Sequence, residues 1–361
     1  TVPGIRFVID TGRARISRYS YRSKIQRLQI ESISQARALQ RQGRCGRLRD
    51  GVCIRLYDEE DFEARPTYTD PEILRTNLAS VILAMADLKL GHVEDFPFLD
   101  PPDPRFVRDG YRLLGELGAV DDGDRVTRRG HAMARLPVDP RLARILLAGD
   151  EQRCLEEALV IVSLLGIRDP RDRPLDKAAQ ADEKHAVWQM PNSDFQTALT
   201  FWRAVHEQRR DLSGNRFRRW CKEHFLSYLR VREWHDVHTQ LRAQCVEMKL
   251  RPNEQPADYA SLHRALLCGF LGHIGQRDDE RRFRGPRNRS FVIGPGSVVH
   301  QKPPRWVVAA ALVETTRVYS HTAAKVEPSW IEEAAGDLVK RSYVDPLWDA
   351  TRGHAVARET V

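Results

Sequence analysis

The sequence predicts a multidomain chain: an α/β segment first, an α-helical middle, and a small β barrel towards the end. Three observations carry this reading. A short apolar strand candidate, Ile5-Arg6-Phe7-Val8-Ile9, precedes an arginine-rich stretch of helical spacing. From Pro71 to Leu250 apolar residues recur at helical intervals. Beyond Pro252 the pattern changes to period-two segments separated by Gly/Pro turns, the signature of a small barrel.

The chain has 361 residues, enough for roughly two to four domains with their own cores. A formal charge of +8 favours a polyanionic partner. Six cysteines (Cys45, Cys53, Cys154, Cys221, Cys245, Cys268) form no C-x-x-C pair, which reads as reduced thiols in a cytoplasmic protein. No apolar run approaches the ~18 residues of a membrane span, and no signal peptide opens the chain. The first residue is Thr rather than Met, so the chain reads as a piece of a longer protein. It contains neither a G-x-x-x-x-G-K-[ST] phosphate loop nor an Asp-Glu-Ala-His sequence, and Asp58-Glu59-Glu60-Asp61 is only an acidic loop.

The α/β segment is organised around Gln40-Arg41-Gln42-Gly43-Arg44-Cys45-Gly46-Arg47. Read as a helix, it sets Gln40, Arg44 and Arg47 on one face at i, i+4 and i+7. Two permanent cations and an amide on one face suit a triphosphate; a solvated basic helix is the bland alternative. Gly43 and Gly46 each cost about 1 kcal/mol relative to Ala inside a helix, so close backbone approach is expected there. Upstream, Ile5–Ile9 is a strand closed by Asp10-Thr11-Gly12. From Arg13 to Ile30 basic and apolar residues alternate, which predicts a β-hairpin with Arg18, Tyr19, Tyr21, Arg22 and Lys24 about its tip. Such a hairpin is either a nucleic-acid element or an edge blunted by charge.

Pro71 opens a predicted helix through Leu90, and a second follows the Asp100–Pro104 breaker. Gly118-Ala119-Val120, a turn at Asp122-Gly123-Asp124 and Thr127–Gly130 predict a small wing feeding another helix; alone, that pattern would read as a DNA-binding winged helix. Cys154–Leu165 is strongly apolar and predicted buried. Ser193-Asp194-Phe195 begins a helix whose Leu199, Phe201, Trp202 and Val205 read as core. His235, His238 and Cys245 could suggest a metal, but their charged surroundings read as a solvated helix face. Ala260–Ile274 is one more helix. Strands are predicted at Ser290–Ile293, Trp306–Val313 and Thr316–Val326, with Gly294-Pro295-Gly296-Ser297 as a turn, and no clear element after Trp348.

The Gln40–Arg47 stretch resembles motif VI (Q-R-x-G-R-x-G-R) of superfamily-2 helicases. Thr1–Ile5 with Val8-Ile9-Asp10-Thr11-Gly12 resembles the end of motif V in DEAH-box RNA helicases, and Asp70–Leu78 is similar to the bacterial HrpA type. The resemblance covers essentially the whole chain. It implies the C-terminal part of a second RecA-like domain at 1–68, a winged helix at 69–137, a helical ratchet bundle at 138–251, an oligonucleotide-binding (OB) barrel at 252–348 and a tail at 349–361. The implied activity is that of a 3′–5′ type ATP-dependent RNA helicase, translocating on a single strand and opening duplexes. The alternative is a non-catalytic RNA-binding protein that keeps the auxiliary domains.

By the same resemblance Arg44 and Arg47 are arginine fingers for the γ-phosphate, Gln40 positions the attacking water or that phosphate, and Asp10 joins them at the nucleotide. ATP is the implied cofactor, with Mg2+ held mainly by a first RecA-like domain outside this chain. RNA, as single strand and duplex junction, is the implied partner, with mRNA or the ribosome as candidate carriers, no membrane, and a monomeric state. Its contacts are Thr1, Arg18, Tyr19, Tyr21, Arg22, Lys24, Ser297 and Lys302. Two departures stand out. Val2-Pro3 replaces the Ile-Asp of many DEAH proteins, removing an acidic ribose contact. Gly294–Ser297 replaces the usual His-Pro-Ser-Ser turn, so only Ser297 and the backbone carry over.

Overall fold

A computed structural model describes residues 3–21, 23–278, 280–339, 342–349 and 354–360. The expected contacts at Thr1 and Arg22 lie outside the described residues. The chain divides into two compact units: Thr1–Arg112 with Leu312–Tyr319, and Leu113–Ala311 with Ser320–Val361.

In the first unit, β1 (Phe7–Asp10) pairs in parallel with β4 (Val52–Arg55), Phe7 opposite Val52 and Ile9 opposite Ile54. Between them the chain makes an antiparallel hairpin of β2 (Arg13–Ser20) and β3 (Ile25–Ser32), then α1 (Gln35–Gln42). The period-two alternation therefore corresponds to a hairpin, with Ile16 and Ile25 buried on one face and Tyr19 buried on the other. Lys24 adopts φ +57° in the tip, and its N–H closes the turn on Ser20 O at 2.7 Å. Val313 and Glu314 extend the hairpin by pairing with Gln26 and Arg27. The short α2 (Glu59–Ala64) is capped by Asp58, whose carboxylate accepts the Asp61 N–H.

The helix expected from Pro71 to Leu90 is interrupted. One 3-10 turn spans Glu72–Leu74, and α3 occupies only Ala79–Asp87. The cause is local: Arg75 O accepts the Tyr19 N–H of the hairpin at 2.9 Å, and the Asn77 side chain takes the Ala79 N–H. Both divert groups that a continuous helix would need. The next helix, α4, runs Pro104–Glu116, after the Asp-Pro breaker as expected.

In the second unit Val120 bridges Val126 across a tight turn, forming the wing. Thr127 caps α5 (Arg128–Ala134), accepting from the Gly130 N–H and donating to Gly118 O at 2.7 Å. The helices α6 (Pro140–Glu151), α7 (Leu155–Leu165), α8 (Ala178–Ala186), α9 (Asp194–Asp211), α10 (Gly214–Glu223), α11 (Tyr228–Glu247) and α12 (Tyr259–Phe270) follow. Helix α7 is buried over most of its length, and Phe195, Leu199, Phe201 and Val205 of α9 face the interior. Trp234 is fully buried; its indole N–H reaches Val160 O at 3.1 Å and Ser163 Oγ at 3.0 Å, satisfying the one polar atom such a ring brings inside. The reading of His235 and His238 as a solvated face is corrected: both are half-buried, with His238 at 4.6 Å from the Trp202 ring. Burial, then the nearby His235 and Arg242 charges, push His238 down to about 4. Among the described residues no metal-holding cluster forms.

Strands β5 (Ile274–Arg277), β6 (Phe283–Gly285), β7 (Arg289–Ile293), β8 (Trp306–Glu314) and β9 (Val318–Lys325) run in the order β8-β5-β6-β7-β9, and β9 pairs again with β8. That closure makes a five-stranded barrel and leaves no open edge. Beyond it lie α13 (Pro328–Ala335) and an antiparallel pair, β10 (Ser342–Asp349) with β11 (His354–Thr360), the second of them past Trp348, where no clear element is expected. Among the described residues no helix is long and apolar enough to cross a membrane, and all six cysteines are free thiols.

Helix α12 crosses α6 at Gly269, where a Cβ would meet Arg141 O at 2.4 Å and Ile145 Cγ1 at 2.6 Å. Neither a backbone carbonyl nor a packed isoleucine can yield that space. Gly269→Ala is expected to cost at least about 1–3 kcal/mol, read as a lower urea midpoint with an unchanged slope.

Candidate functional site

Strand β1 ends on Asp10, whose carboxylate is fully buried. One oxygen accepts the Gly12 N–H at 3.0 Å and Arg41 Nη1 at 2.6 Å; the other accepts the Tyr57 hydroxyl at 2.9 Å. Arg41 also donates to Arg13 O, so α1 is fastened to the β1 end and to the start of β2. Arg65 completes the node: it donates to Gly12 O, pairs with Asp61, and lies 3.9 Å over the Tyr57 ring. Burial would raise the Asp10 carboxyl, but the bonds from Gly12, Arg41 and Tyr57 outweigh it and hold the group below the ordinary carboxylate value. A Cβ at Gly12, at φ +68°, would strike both Arg65 and Tyr57 at 2.6 Å, so only glycine fits.

The helix reading of Gln40–Arg47 needs correcting. Helix α1 stops at Gln42, and Gly43 caps it with its N–H on Leu39 O and Arg41 O. Residues 43–49 form a tight loop with Gly46 at φ +75°. Gly51 lies so close that a Cβ there would be 2.6 Å from Gly46 N, which explains why the loop is glycine-rich. Gln40 therefore sits on the last helical turn, while Arg44 and Arg47 sit on the loop; all three are exposed. Arg47 Nε donates to Gly43 O at 3.1 Å, and the buried Cys45 thiol donates to Gln42 O at 3.1 Å. The structure thus gathers Gln40, Arg44 and Arg47 at one helix–loop junction, with Asp10 behind it as an anchor. Sequence spacing overlooked Arg41, Tyr57 and Arg65, because they come from three separate segments and nothing in the sequence shows that they converge.

Around the hairpin, several expected RNA contacts have intramolecular partners. Arg18 bonds Glu31 at 2.9 Å and Asp70 at 2.8 Å. Tyr19 is buried and donates its hydroxyl to Asp109 at 2.6 Å, and Lys24 pairs with the same carboxylate. Tyr21 is half-buried beside Phe106 at 5.5 Å, with the Arg105 guanidinium 5.0 Å over its ring. Among the described residues the exposed side chains of the two strands are Arg13, Arg15, Leu28, Gln29, Ile30 and Ser32. In the barrel loop Ser297 donates its hydroxyl to Asp194 at 2.6 Å, whereas Lys302 is exposed.

Three helicase-associated modules match this chain: a winged-helix part of the helicase-associated domain at residues 111–138, its ratchet-like part at 139–227, and an oligonucleotide/oligosaccharide-binding fold at 262–338. These modules place the chain in the class of helicase-associated regions built from a winged helix, a ratchet-like bundle and an OB fold. The chain is 51% identical to the ATP-dependent RNA helicase HrpA of Escherichia coli over all of its own length, and 52% identical to the HrpA homolog of Haemophilus influenzae. It is 32% identical to the human probable ATP-dependent RNA helicase DHX35 over 93% of its length. The chain belongs to the DEAH-box helicase family, HrpA type. It spans 28% of either HrpA protein and 47% of the human relative.

Asp10→Asn removes the charge that fixes this node and leaves Arg41 and Tyr57 with a weaker acceptor. The expected loss is about 2 kcal/mol, measured by urea unfolding at pH 7. Because the folded carboxyl sits below its ordinary value of 3.8, its contribution is complete above that pH and fades as pH falls below it. The wild-type advantage over Asp10→Asn should therefore shrink on acidification below 3.8.

Proposed function

We propose that this chain is part of an ATP-dependent RNA helicase, in which the α1–loop junction reaches the outer phosphate of ATP bound mainly by a preceding domain. The observation that carries the reading is the junction itself: a buried, fully bonded anchor at Asp10 and Arg41 presenting exposed Gln40, Arg44 and Arg47. A helix–loop junction held this firmly, with two guanidinium groups turned outward, fits a phosphate whose charge grows in the transition state. Gln40 orients the attacking water or the γ-phosphate, and Asp10 acts by holding Arg41.

The residues present fit a phosphate better than a metal. Asp58 caps α2, Asp61 pairs with Arg65, and Asp10 is bonded on both oxygens. Magnesium is accordingly assigned to the preceding domain. The outward side of β1 and β4 supports such a domain: Phe7, Ile9, Val52 and Ile54 are each about half exposed or more, although parallel strands are normally covered on both faces. We place the longer protein in the cytoplasm, as a monomer acting on single-stranded RNA and duplex junctions carried by mRNA or the ribosome. HrpA and DHX35, by name, are RNA helicases, which supports RNA as the substrate. Thr1, Arg22, Ser297 and Lys302 remain proposed strand contacts.

In the full-length protein Arg44→Ala and Arg47→Ala should each lower RNA-stimulated turnover by up to about 10³–10⁵ while RNA affinity holds. A loss below about threefold in both would assign the loop a structural role and favour a non-catalytic RNA-binding protein. This chain alone should hydrolyse no ATP above background.

The hairpin is proposed to part strands at a duplex junction. Deleting its tip would break the Tyr19 and Lys24 bonds to Asp109, so Tyr21→Ala is the cleaner probe. Losing one stacking ring costs about 1–3 kcal/mol per base, so displacement of an overhanging duplex should slow at least about fivefold with ATPase intact. Equal unwinding by variant and parent would make the hairpin an ordinary charged edge.

A further inference from the structure

Helix α10 carries charge that neither the nucleotide junction nor the hairpin accounts for. Over Gly214–Glu223 it holds four cations, Arg216, Arg218, Arg219 and Lys222, against one acid, Glu223. Its inner side is fixed by Phe217 and Cys221, both buried. Arg218 leans 4.8 Å over the Tyr228 ring, while Arg216, Arg219 and Lys222 are exposed and form no ion pair among the described residues. They recur every three residues, so they climb the helix in steps of about 4.5 Å. Like charges so placed repel one another and weaken an isolated helix. Glu223, four residues past Arg219, is the one acid on the helix against these cations, and among the described residues none of the three forms an ion pair.

We propose that α10 is a phosphate-binding ridge for double-helical RNA, separate from the single-strand path. The inference rests on the reading of this protein as an RNA helicase and adds a second RNA surface to it. The choice of duplex over single strand follows from the aromatics. Single-strand sites combine cations with exposed rings on which bases stack. Here the two half-buried rings beside the cations are already engaged, Trp220 stacked on His224 at 4.4 Å and Phe217 at 5.9 Å, and Tyr228 under Arg218 at 4.8 Å. A ridge of cations without a stacking platform reads phosphates only, and a duplex is the form of RNA that presents phosphates while hiding its bases.

The test uses this chain with Arg216, Arg219 and Lys222 all changed to Glu, and separately all changed to Gln. A control reverses the same number of charges at Arg153, Lys184 and Arg251, which are exposed elsewhere in the same unit. Circular dichroism checks that the helices persist; Glu and Gln are both good helix formers. Binding is measured to a blunt RNA duplex and to an unstructured single strand across a salt series. The expected result is duplex affinity lower by about tenfold or more at low salt, with a log–log salt slope flatter by about 2–3. Single-strand affinity and the control should be unchanged. Duplex affinity equal to wild type overturns the proposal. Equal loss for both RNAs also overturns it, by making α10 part of the strand path. Binding of polyglutamate by wild type but not by the Glu variant, with no duplex binding by wild type, would overturn the proposal and assign the ridge to an acidic protein. Loss of single-strand binding by wild type itself would count against the helicase reading, a result the ridge variants do not produce.

Discussion

One buried carboxylate governs the geometry of the first unit. Asp10 stands at the end of β1 with no access to water, and a charge in that position survives only if its bonds are made inside. Three donors make them, each from a different segment: the turn after the strand, helix α1 and the residue just past β4. The turn at Gly12, the angle at which α1 leaves the sheet and the position of Tyr57 are set together. Arg41 ties the end of the helix to the strand, while Gln35 and Ala36 tie its start to residues 63–67. Since Arg41 faces inward to the strand, the exposed Gln40 and the loop beyond Gly43 are carried on a fixed base.

The same constraint explains what the spacing of the sequence could and could not convey. A helical projection puts Gln40, Arg44 and Arg47 on one helix face, whereas the chain carries Gln40 on the last turn of α1 and the two arginines on the loop beyond it. Two glycines within four residues, Gly43 and Gly46, are costly inside a helix. They are costly because the chain leaves the helix there, with Gly43 as the cap and Gly46 in a left-handed turn. The hairpin was legible because period two is specific to strands. The fate of its residues was not, since Tyr19 bonds a carboxylate 90 residues further on and sequence alone carries no such pairing.

The order of the modules was legible through resemblance to a helicase family more than through periodicity. The long apolar helix α7 and the Ser193 cap of α9 were readable from composition and capping chemistry. Strands β5 and β6 were not, because four and three residues are too few for a pattern to emerge, and both contain glycine. His235 and His238 misled for another reason. Charged neighbours in sequence said nothing of Trp202, one helix away, which packs against both rings. The pair β10 and β11 is interrupted by an irregularity between Val344 and Leu347, where Asp345-Pro346 breaks the alternation that would have marked a strand.

Asp194 opens helix α9, and its carboxylate also holds the barrel: it accepts the Ser297 hydroxyl at 2.6 Å and the N–H groups of Val298 at 2.9 Å and Ala323 at 2.7 Å. The negative group sits at the positive end of the helix dipole while gathering donors from two barrel segments. A ligand that drew on the Ser297 hydroxyl would therefore compete with a charge-assisted bond already in place, and would loosen the clasp between a bundle helix and the barrel as it bound. Occupancy of that loop and the tightness of the clasp are thereby set against each other, a mechanical linkage written into one side chain.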